Sequence, residues 1–430
     1  MAAWQSLPEF FFCEISSFPC GRPALLCACW EGFEKGESGF GVGCRDAGPG
    51  DWALWGLSWA GHPLAPVLLT QTLVMGVPFI NSYAKKRDQV VAIDLGGRTT
   101  KAVHVQRRGD RFNLVNYAVV DSPIFEKSFA PDLLADHLKN VCRALGNRTR
   151  QVTLALGVNE TIFRQVETPL MPIPDLRLML KFNSKTYLQQ ELPDHVFDCQ
   201  FAVPSASARP GEGSKTPSAQ KQKVMVGGAR KQILDDVESA CRIAGLTAEH
   251  VIPGLIGPVN AFEMAEPEAF TKEVIALVEL GFKNTAITIL DCGEIMLNRV
   301  VAIGGDRFTH GLAESLAISY QEAENIKVGM PGEVLANLEP LIHPLGRELR
   351  ASIDYFENHH DKTVGKIFLS GASAVSELIV QTLQTEMMVS CHVWSPAKSL
   401  QLALPPEKVG EMEQVAPQLS VALGAAAASL

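Results

Sequence analysis

From residue 89 onward the chain alternates between short apolar runs and glycine-bearing turns. Gln89-Val-Val-Ala-Ile-Asp94 is an apolar run closed by an acid and glycines, which predicts a buried strand entering a turn. Lys101-Ala-Val-His-Val-Gln106 alternates apolar and polar positions, which predicts the return strand of a hairpin. A turn at 107–110 and a strand over 112–120 follow. Leu133, Leu134, Leu138, Val141 and Leu145 recur at helical spacing, predicting a helix over 130–145, and 151–156 predicts a further strand. Three strands, a helix and a strand make a layered α/β unit.

The pattern changes between 163 and 252. Strands are predicted at 166–169, 195–203 and 224–229, and a helix over 174–190. The segment 205–222 is polar and rich in Gly, Pro and Ser, the composition of a mobile loop. A second helix, 231–244, carries Ile233, Val237, Cys241 and Ala244 on one face and Gly245 as its stop. This is a small α+β module set within the first domain. The first pattern returns at Val274, with a buried strand ending in Gly281. Strands at 284–291 and 294–303 form a meander, and Gly305 opens a helix. A strand at 367–369 ends in Ser370-Gly371-Ala372-Ser373, and 417–428 is a small-residue helix. The second half thus repeats the first. Two similar halves with a cleft between them suit one ligand gripped from both sides.

The first 74 residues differ in kind. Five of the six tryptophans lie at or before Trp59, and no Asp, Glu, Lys or Arg occurs between Asp51 and Lys85. No basic region precedes an apolar core, which argues against a signal peptide. A membrane anchor over 64–80, flanked by Lys85, Lys86 and Arg87, would be short and would contain Gln71 and two prolines. The favoured reading is that translation begins at Met75 and that the preceding segment is non-native or disordered.

A length of 430 residues suits two or three domains, and 47% hydrophobic with 20% charged residues is globular. A net charge of -9 argues against a nucleic-acid-binding surface. Cys13, Cys20, Cys27, Cys29 and Cys44 crowd the start. Cys142, Cys199, Cys241, Cys292 and Cys391 are scattered, without a CxxC pair or histidines at metal spacing, and read as small buried hydrophobes.

Asp94-Leu-Gly-Gly-Arg-Thr-Thr-Lys-Ala-Val103 resembles the first phosphate loop of the superfamily that holds actin, the DnaK-type chaperones and hexokinase. Over 90–428 the chain is most similar to the PilM pilus-assembly family and next to the FtsA cell-division family. The implied fold is α/β, an actin-like (ribonuclease H-like) two-domain fold with an inserted small α+β subdomain. The implied boundaries are 75–163 for the first part of domain one, 164–252 for the insert and 253–272 for a connecting helix. Domain two would span 273–415, and 416–430 a helix returning to domain one.

Glycines let a backbone turn close on phosphate while N–H groups and hydroxyls bind its oxygens. Gly96, Gly97, Thr99, Thr100 and Lys101 fit that role, although an ordinary hairpin turn fits the same residues. Asp94 would hold magnesium through water, since that ion keeps several waters. The second phosphate loop would be Glu279-Leu-Gly-Phe-Lys-Asn-Thr285, with Gly281, Asn284 and Thr285 as contacts and Glu279 where relatives have Asp. Gly305 joins this set. Glu324 and Lys327, at i and i+3 on one helical face, match the helix that touches adenosine; the competing reading is a solvated surface pair. Gly371 and Ala372 match the adenosine loop, with Ser370 where relatives have glycine. Gly257 and Gly424 match the two connecting helices, where small residues permit close crossing.

The resemblance implies ATP and magnesium as cofactors. It implies a cytoplasmic scaffold at the inner face of the inner membrane, peripheral to it through its partner. It also implies other pilus-assembly proteins as neighbours and, as chief partner, the short cytoplasmic tail of a PilN-like inner-membrane protein, held in part by the insert. No convincing catalytic base is evident beyond Glu279 and Asp306, so any ATPase activity is expected to be slow. A filament-forming FtsA-like protein and a sugar or acid kinase are the rival readings.

Overall fold

The computed structural model describes residues 88–109, 111–123, 129–201 and 221–430. The expectations for residues 1–74, for the five early cysteines and for most of the 205–222 loop lie outside the described residues.

The first half opens with β1 (Gln89–Leu95), β2 (Thr99–Arg108) and β3 (Arg111–Asp121), then α1 (Pro131–Leu145) and β4 (Gln151–Leu156). An insert follows: β5 (Thr161–Pro169), α2 (Ile173–Leu188), β6 (His195–Phe201) and β7 (Lys221–Arg230). The chain returns through α3 (Lys231–Ala244) and β8 (Thr247–Pro253) to α4 (Gly257–Ala265) and α5 (Pro267–Lys272). The second half repeats the order with β9 (Val274–Leu280), β10 (Thr285–Asp291) and β11 (Glu294–Val301). Next come α6 (Gly305–Leu316), α7 (Tyr320–Gly329), α8 (Leu335–His360), β12 (Lys366–Ser370), α9 (Glu377–Met387) and β13 (Cys391–Val393). The chain closes with β14 (Gln401–Leu402), α10 (Pro406–Val409), α11 (Met412–Val415) and α12 (Ser420–Ser429).

The duplication is visible in the sheets. One has the order β14-β3-β2-β1-β4-β8 and the other β11-β10-β9-β12-β13. In each, three antiparallel strands are followed by two parallel ones. β14 crosses back from the second half to lie parallel on the edge of β3. The core follows this layering. Phe262 of α4 packs edge-on against Phe368 and Trp394 at centroid distances of 4.8 and 5.1 Å, in the cluster that includes α4 and α12. α1 and α3 cover the first sheet, and α8 and α9 the second.

The insert is shorter than the 164–252 expected. The third sheet, β5-β7-β6, with α2 on its face, ends at Arg230. β8 pairs with β4 in the first sheet, and the apolar face of α3 joins the core beneath α1. Periodicity marks α3 as amphipathic but not which sheet its face will meet. Two smaller readings also change. Leu133, placed on the apolar face of α1, is exposed. Cys292, read as a buried hydrophobe, is exposed in a turn with φ of 48°.

Gly257 and Gly424 meet where α4 crosses α12. A Cβ on Gly424 would lie 1.7 Å from the Gly257 carbonyl oxygen, and one on Gly257 would lie 2.8 Å from the Val421 backbone. Only hydrogen at both positions permits this crossing, as the sequence reading required.

Candidate functional site

A cavity of about 1140 Å³ opens where the turns at the ends of β1, β4, β9 and β12 converge. Most expected contacts line it: Asp94, Gly96, Gly97, Thr99, Thr100 and Lys101 from the first half, and Glu279, Gly281, Asn284, Gly305, Glu324, Lys327 and Ala372 from the second. Thr285 and Gly371 do not. The Thr285 hydroxyl is buried and donates to the Ile303 carbonyl at 2.6 Å. Gly371 has φ of 94°, and a Cβ there would stand 2.3 Å from the Leu280 carbonyl oxygen. Both hold the neighbouring turns in shape.

The first turn is built from short range. Asp94 and Lys101 are register partners across β1 and β2, and Lys101 Nζ lies 3.6 Å from Asp94 Oδ2. Burial raises the Asp94 carboxyl above its ordinary range, with Lys101 opposing. A Cβ on Gly96 would meet the Thr99 carbonyl oxygen at 2.4 Å, whereas one on Gly97 would meet nothing within 4 Å. Gly97 is therefore the point where the cavity comes closest to bare backbone. The Gly96 carbonyl accepts from Ser122 Oγ at 2.9 Å. Thr100 is buried, and its hydroxyl is shared with Ser122 at 2.9 Å and with His137 Nε2 at 2.7 Å. Those contacts brace the turn and leave Thr99 as the more open hydroxyl.

Across the cavity, Glu279 ends β9. Its Oε2 accepts from Ser370 Oγ and, at 2.7 Å, from Ser420 Oγ at the start of α12. This explains Ser370, which stands where relatives have glycine: it is fully buried and faces Glu279. Burial pushes the Glu279 carboxyl up to about 7, against the pull of the two hydroxyls and Lys101. The Gly281 N–H bonds to the Asn284 carbonyl at 3.0 Å, closing the second turn. The carbonyls of Gly281 and Phe282 accept from the N–H groups of Gly305 and Asp306 at 3.1 and 2.9 Å, docking that turn onto the start of α6. Asn284 Nδ2 reaches across to Asn159 Oδ1 at 3.3 Å.

Glu324 and Lys327 are not a solvated surface pair. Their side chains are 16% and 10% exposed and lie 2.6 Å apart. Lys327 Nζ also donates to Thr309 Oγ1 at 2.6 Å and to the Gly305 carbonyl at 3.2 Å. Burial works against the Glu324 charge, but hydrogen bonds from Lys327 and Thr309 prevail and hold its carboxyl below the usual range. Burial lowers the Lys327 ammonium, with Glu324 opposing. Of the two candidate bases, Glu279 lines the cavity and Asp306 does not. Asp306 Oδ1 instead accepts from the Tyr320 hydroxyl at 2.8 Å and lies 3.3 Å from His310 Nδ1.

Three cationic residues beyond the expected set line the cavity: Arg98, Arg230 and Lys283, the last within the second turn. Arg98, between the glycines and threonines of the first turn, lies with its guanidinium 5.3 Å from the Phe282 centroid, 3.4 Å from the Tyr320 hydroxyl and 4.0 Å from Glu324. Arg230 ends the insert and also lines the cavity. The signal for Arg98 was its place inside a glycine-rich turn. Arg230 carried none, because only the fold brings the end of the insert to the cavity that the first turn lines.

A family model described as type IV pilus assembly protein PilM matches residues 92–429. The chain belongs to that family. Among solved structures, the chain is similar to one described as the PilM–PilN type IV pilus biogenesis complex. The match is 22% identical with a TM-score of 0.68, covering 80% of this chain and 99% of that one. It is also similar to the ethanolamine utilization protein EutJ from Carboxydothermus hydrogenoformans, at 15% identity and a TM-score of 0.46, covering 80% of this chain and 90% of that one. The PilM fold, actin-like with two duplicated halves and an insert, is thus present. No helix among the described residues is long and apolar enough to cross a membrane.

Proposed function

We propose that this PilM-family chain is a nucleotide-gated scaffold of a type IV pilus assembly platform. In this reading ATP with magnesium sits in the interhalf cavity. The cavity that both expected phosphate turns and the buried Glu324–Lys327 pair line together carries the reading. Its volume of about 1140 Å³ lies just above the usual range for small-molecule sites, roomy enough for a nucleotide. The donor set also fits: bare backbone at Gly97, the Thr99 hydroxyl, and the Lys101, Lys283 and Arg230 cations around it.

Bound ATP–magnesium would supply concentrated negative charge between the two turns. The Gly96 and Gly97 backbone and Lys101 would receive it from one side, Gly281 and Asn284 from the other. Asp94 would hold the magnesium through water. Glu324 and Lys327 would flank the adenosine. Glu279 is the carboxylate best placed to orient a water, but two serines hold it, so hydrolysis would be slow.

Gating needs the insert to respond to the cavity. Arg230 joins the two, and Lys223 of β7 pairs with Glu294 of β11 at 2.6 Å, tying the insert to the second half. A change in the angle between halves would therefore be felt by the insert. There we place the groove for the short tail of a PilN-like inner-membrane protein, which would hold the scaffold at the inner face of that membrane. Nucleotide can shift such an equilibrium only by binding one state better than the other.

The test is calorimetry of ATP–magnesium against the full chain and a Gly97→Asp variant. Gly97 accepts a side chain without a clash, so the variant tests charge rather than folding. We expect binding that the variant loses. A folded wild-type chain that binds no nucleotide would remove the gate. Equal affinity for the PilN-like tail with and without nucleotide would do the same.

A further inference from the structure

The end of the first sheet remote from the cavity is a concentration of arginine. The cavity lies at the C-terminal ends of β1 and β4, beside Asp94 and Gly157. The opposite end carries the β2–β3 turn with Arg107, Arg108 and Arg111, and the lead into β4 with Arg148 and Arg150. The backbone of Arg150 accepts from the Thr247 N–H at 2.8 Å, which brings the start of β8 to the same end. The last turns of α1 and α3 add Arg143 and Arg242.

Seven of the fifteen arginines among the described residues therefore gather at one pole, in a chain whose net charge is -9. Six are exposed; Arg107 is half-buried over the Phe112 ring and donates to Leu430. None of the seven forms an ion pair with a described residue. Described acids also stand at this end: Asp88, whose backbone carbonyl accepts from the Arg107 N–H at 2.7 Å, Glu238 one turn before Arg242 on α3, and Glu249 of β8. The seven arginines outnumber them, and Asp110 lies outside the described residues.

Helix dipoles account for Arg143 and Arg242, since cations are favoured at helix C-termini. They do not account for the five arginines in the strand turns. Five adjacent strand ends span about 20 Å at ordinary spacing, so the cations form a broad face rather than a track. Such a face matches a surface of many phosphates, and guanidinium groups bind phosphate oxygens in pairs.

We infer that this arginine pole is a docking surface for anionic phospholipid headgroups, acting beside any membrane partner. It would set the first sheet end-on to the bilayer with the nucleotide cavity facing away, so occupancy of one surface leaves the other open. Contacts of this kind are electrostatic, long-reaching at low salt and weak at high salt.

The experiment is sedimentation of the full chain with vesicles of phosphatidylcholine mixed with phosphatidylglycerol, against phosphatidylcholine alone. The variant is Arg108→Gln, Arg148→Gln, Arg150→Gln, all exposed side chains, checked for an unchanged melting curve. We expect anionic vesicles to be bound and neutral ones not. Partition should fall about fivefold for each arginine removed, about a hundredfold for the triple variant. The Gly97→Asp variant should bind vesicles as the wild type does, which separates this inference from the nucleotide reading. Equal binding to neutral vesicles, or full binding by the triple variant, would overturn it. Tighter binding to a DNA duplex than to anionic vesicles at the same salt would reassign the pole to nucleic acid.

Discussion

The guanidinium of Arg98 lies 5.3 Å from the centroid of the Phe282 ring, so a side chain of the first turn rests on a side chain of the second. These turns belong to different halves; Ser122 and His137 brace the first and the start of α6 the second, while Asn284 to Asn159 and Arg98 to Tyr320 add further contacts across the halves. Contact between them is a direct link across the cavity mouth. At a partly exposed site such a contact is worth about 0.5–1 kcal/mol.

Arg98→Ala is therefore expected to lower unfolding stability by about 1 kcal/mol. Phe282→Leu should cost a similar amount. The double variant should cost less than the sum, by about 0.5 kcal/mol, because each single change already removes the shared contact. Arg98→Lys should recover little, because lysine lacks the flat face that stacks. Chemical denaturation of the four chains decides the matter, and strict additivity would show that the contact carries no energy.

Gly424→Ala should be among the most damaging small substitutions in the chain. Alanine favours a helix over glycine by about 1 kcal/mol, so propensity alone predicts stabilisation. Here the added methyl would stand 1.7 Å from the Gly257 carbonyl oxygen, and the backbones of α4 and α12 must part to admit it. Overpacking of this kind costs about 3 kcal/mol, which outweighs the propensity gain. Gly329→Ala, also helical but with nothing within 4 Å, is the control and should be neutral or stabilising. The pair needs only two melting curves beside the wild type, and a harmless Gly424→Ala would mean that the helices cross differently.

Lys327→Met should cost about 3 kcal/mol, because it leaves the Glu324 carboxylate largely buried without its cation. Adding Glu324→Gln should restore part of the loss, since Thr309 can still donate to the amide oxygen. Urea titration of the single and double variants measures both steps. A double variant as unstable as the sum of its parts would return the pair to the status of independent surface charges.

The strands, the turns and the crossing glycines were legible in the sequence because each rests on local chemistry. An apolar run closed by Gly or Asp reads as a strand entering a turn wherever it occurs. The β1–β2 hairpin followed from two apolar runs around a glycine turn, and Gly257 and Gly424 from the need for a close crossing; the Asp94–Lys101 pair emerged only with the register. What depended on distant packing was not legible. Pro340 and Pro344 lie within α8, a helix of 26 residues that periodicity did not announce. Thr285 and Gly371 sit in the expected turns, yet the fold points one into the core and packs the other against Leu280. Arg230 reaches the cavity only because the insert ends where α3 rejoins the first sheet.

Glu279 makes stability depend on pH in a definite direction. Its carboxyl is raised from 4.5 to about 7, first by burial, so the folded state holds the proton more tightly than the unfolded chain does. Unfolding then releases a proton between about pH 4.5 and 7, and stability falls as pH rises through that window. Above about 7 both states are ionised and the loss is complete. Glu279→Gln keeps an oxygen for Ser370 and Ser420 but cannot ionise. The advantage of wild type over variant should shrink by up to about 3 kcal/mol from pH 4.5 to 7.5. The raised Asp94 carboxyl is present in both chains, so much of its own contribution cancels in the comparison. Denaturation curves for both chains at several pH values give this difference directly. Parallel curves across the window would show that Glu279 is already ionised in the fold, held by Lys101 and the two serines rather than governed by burial.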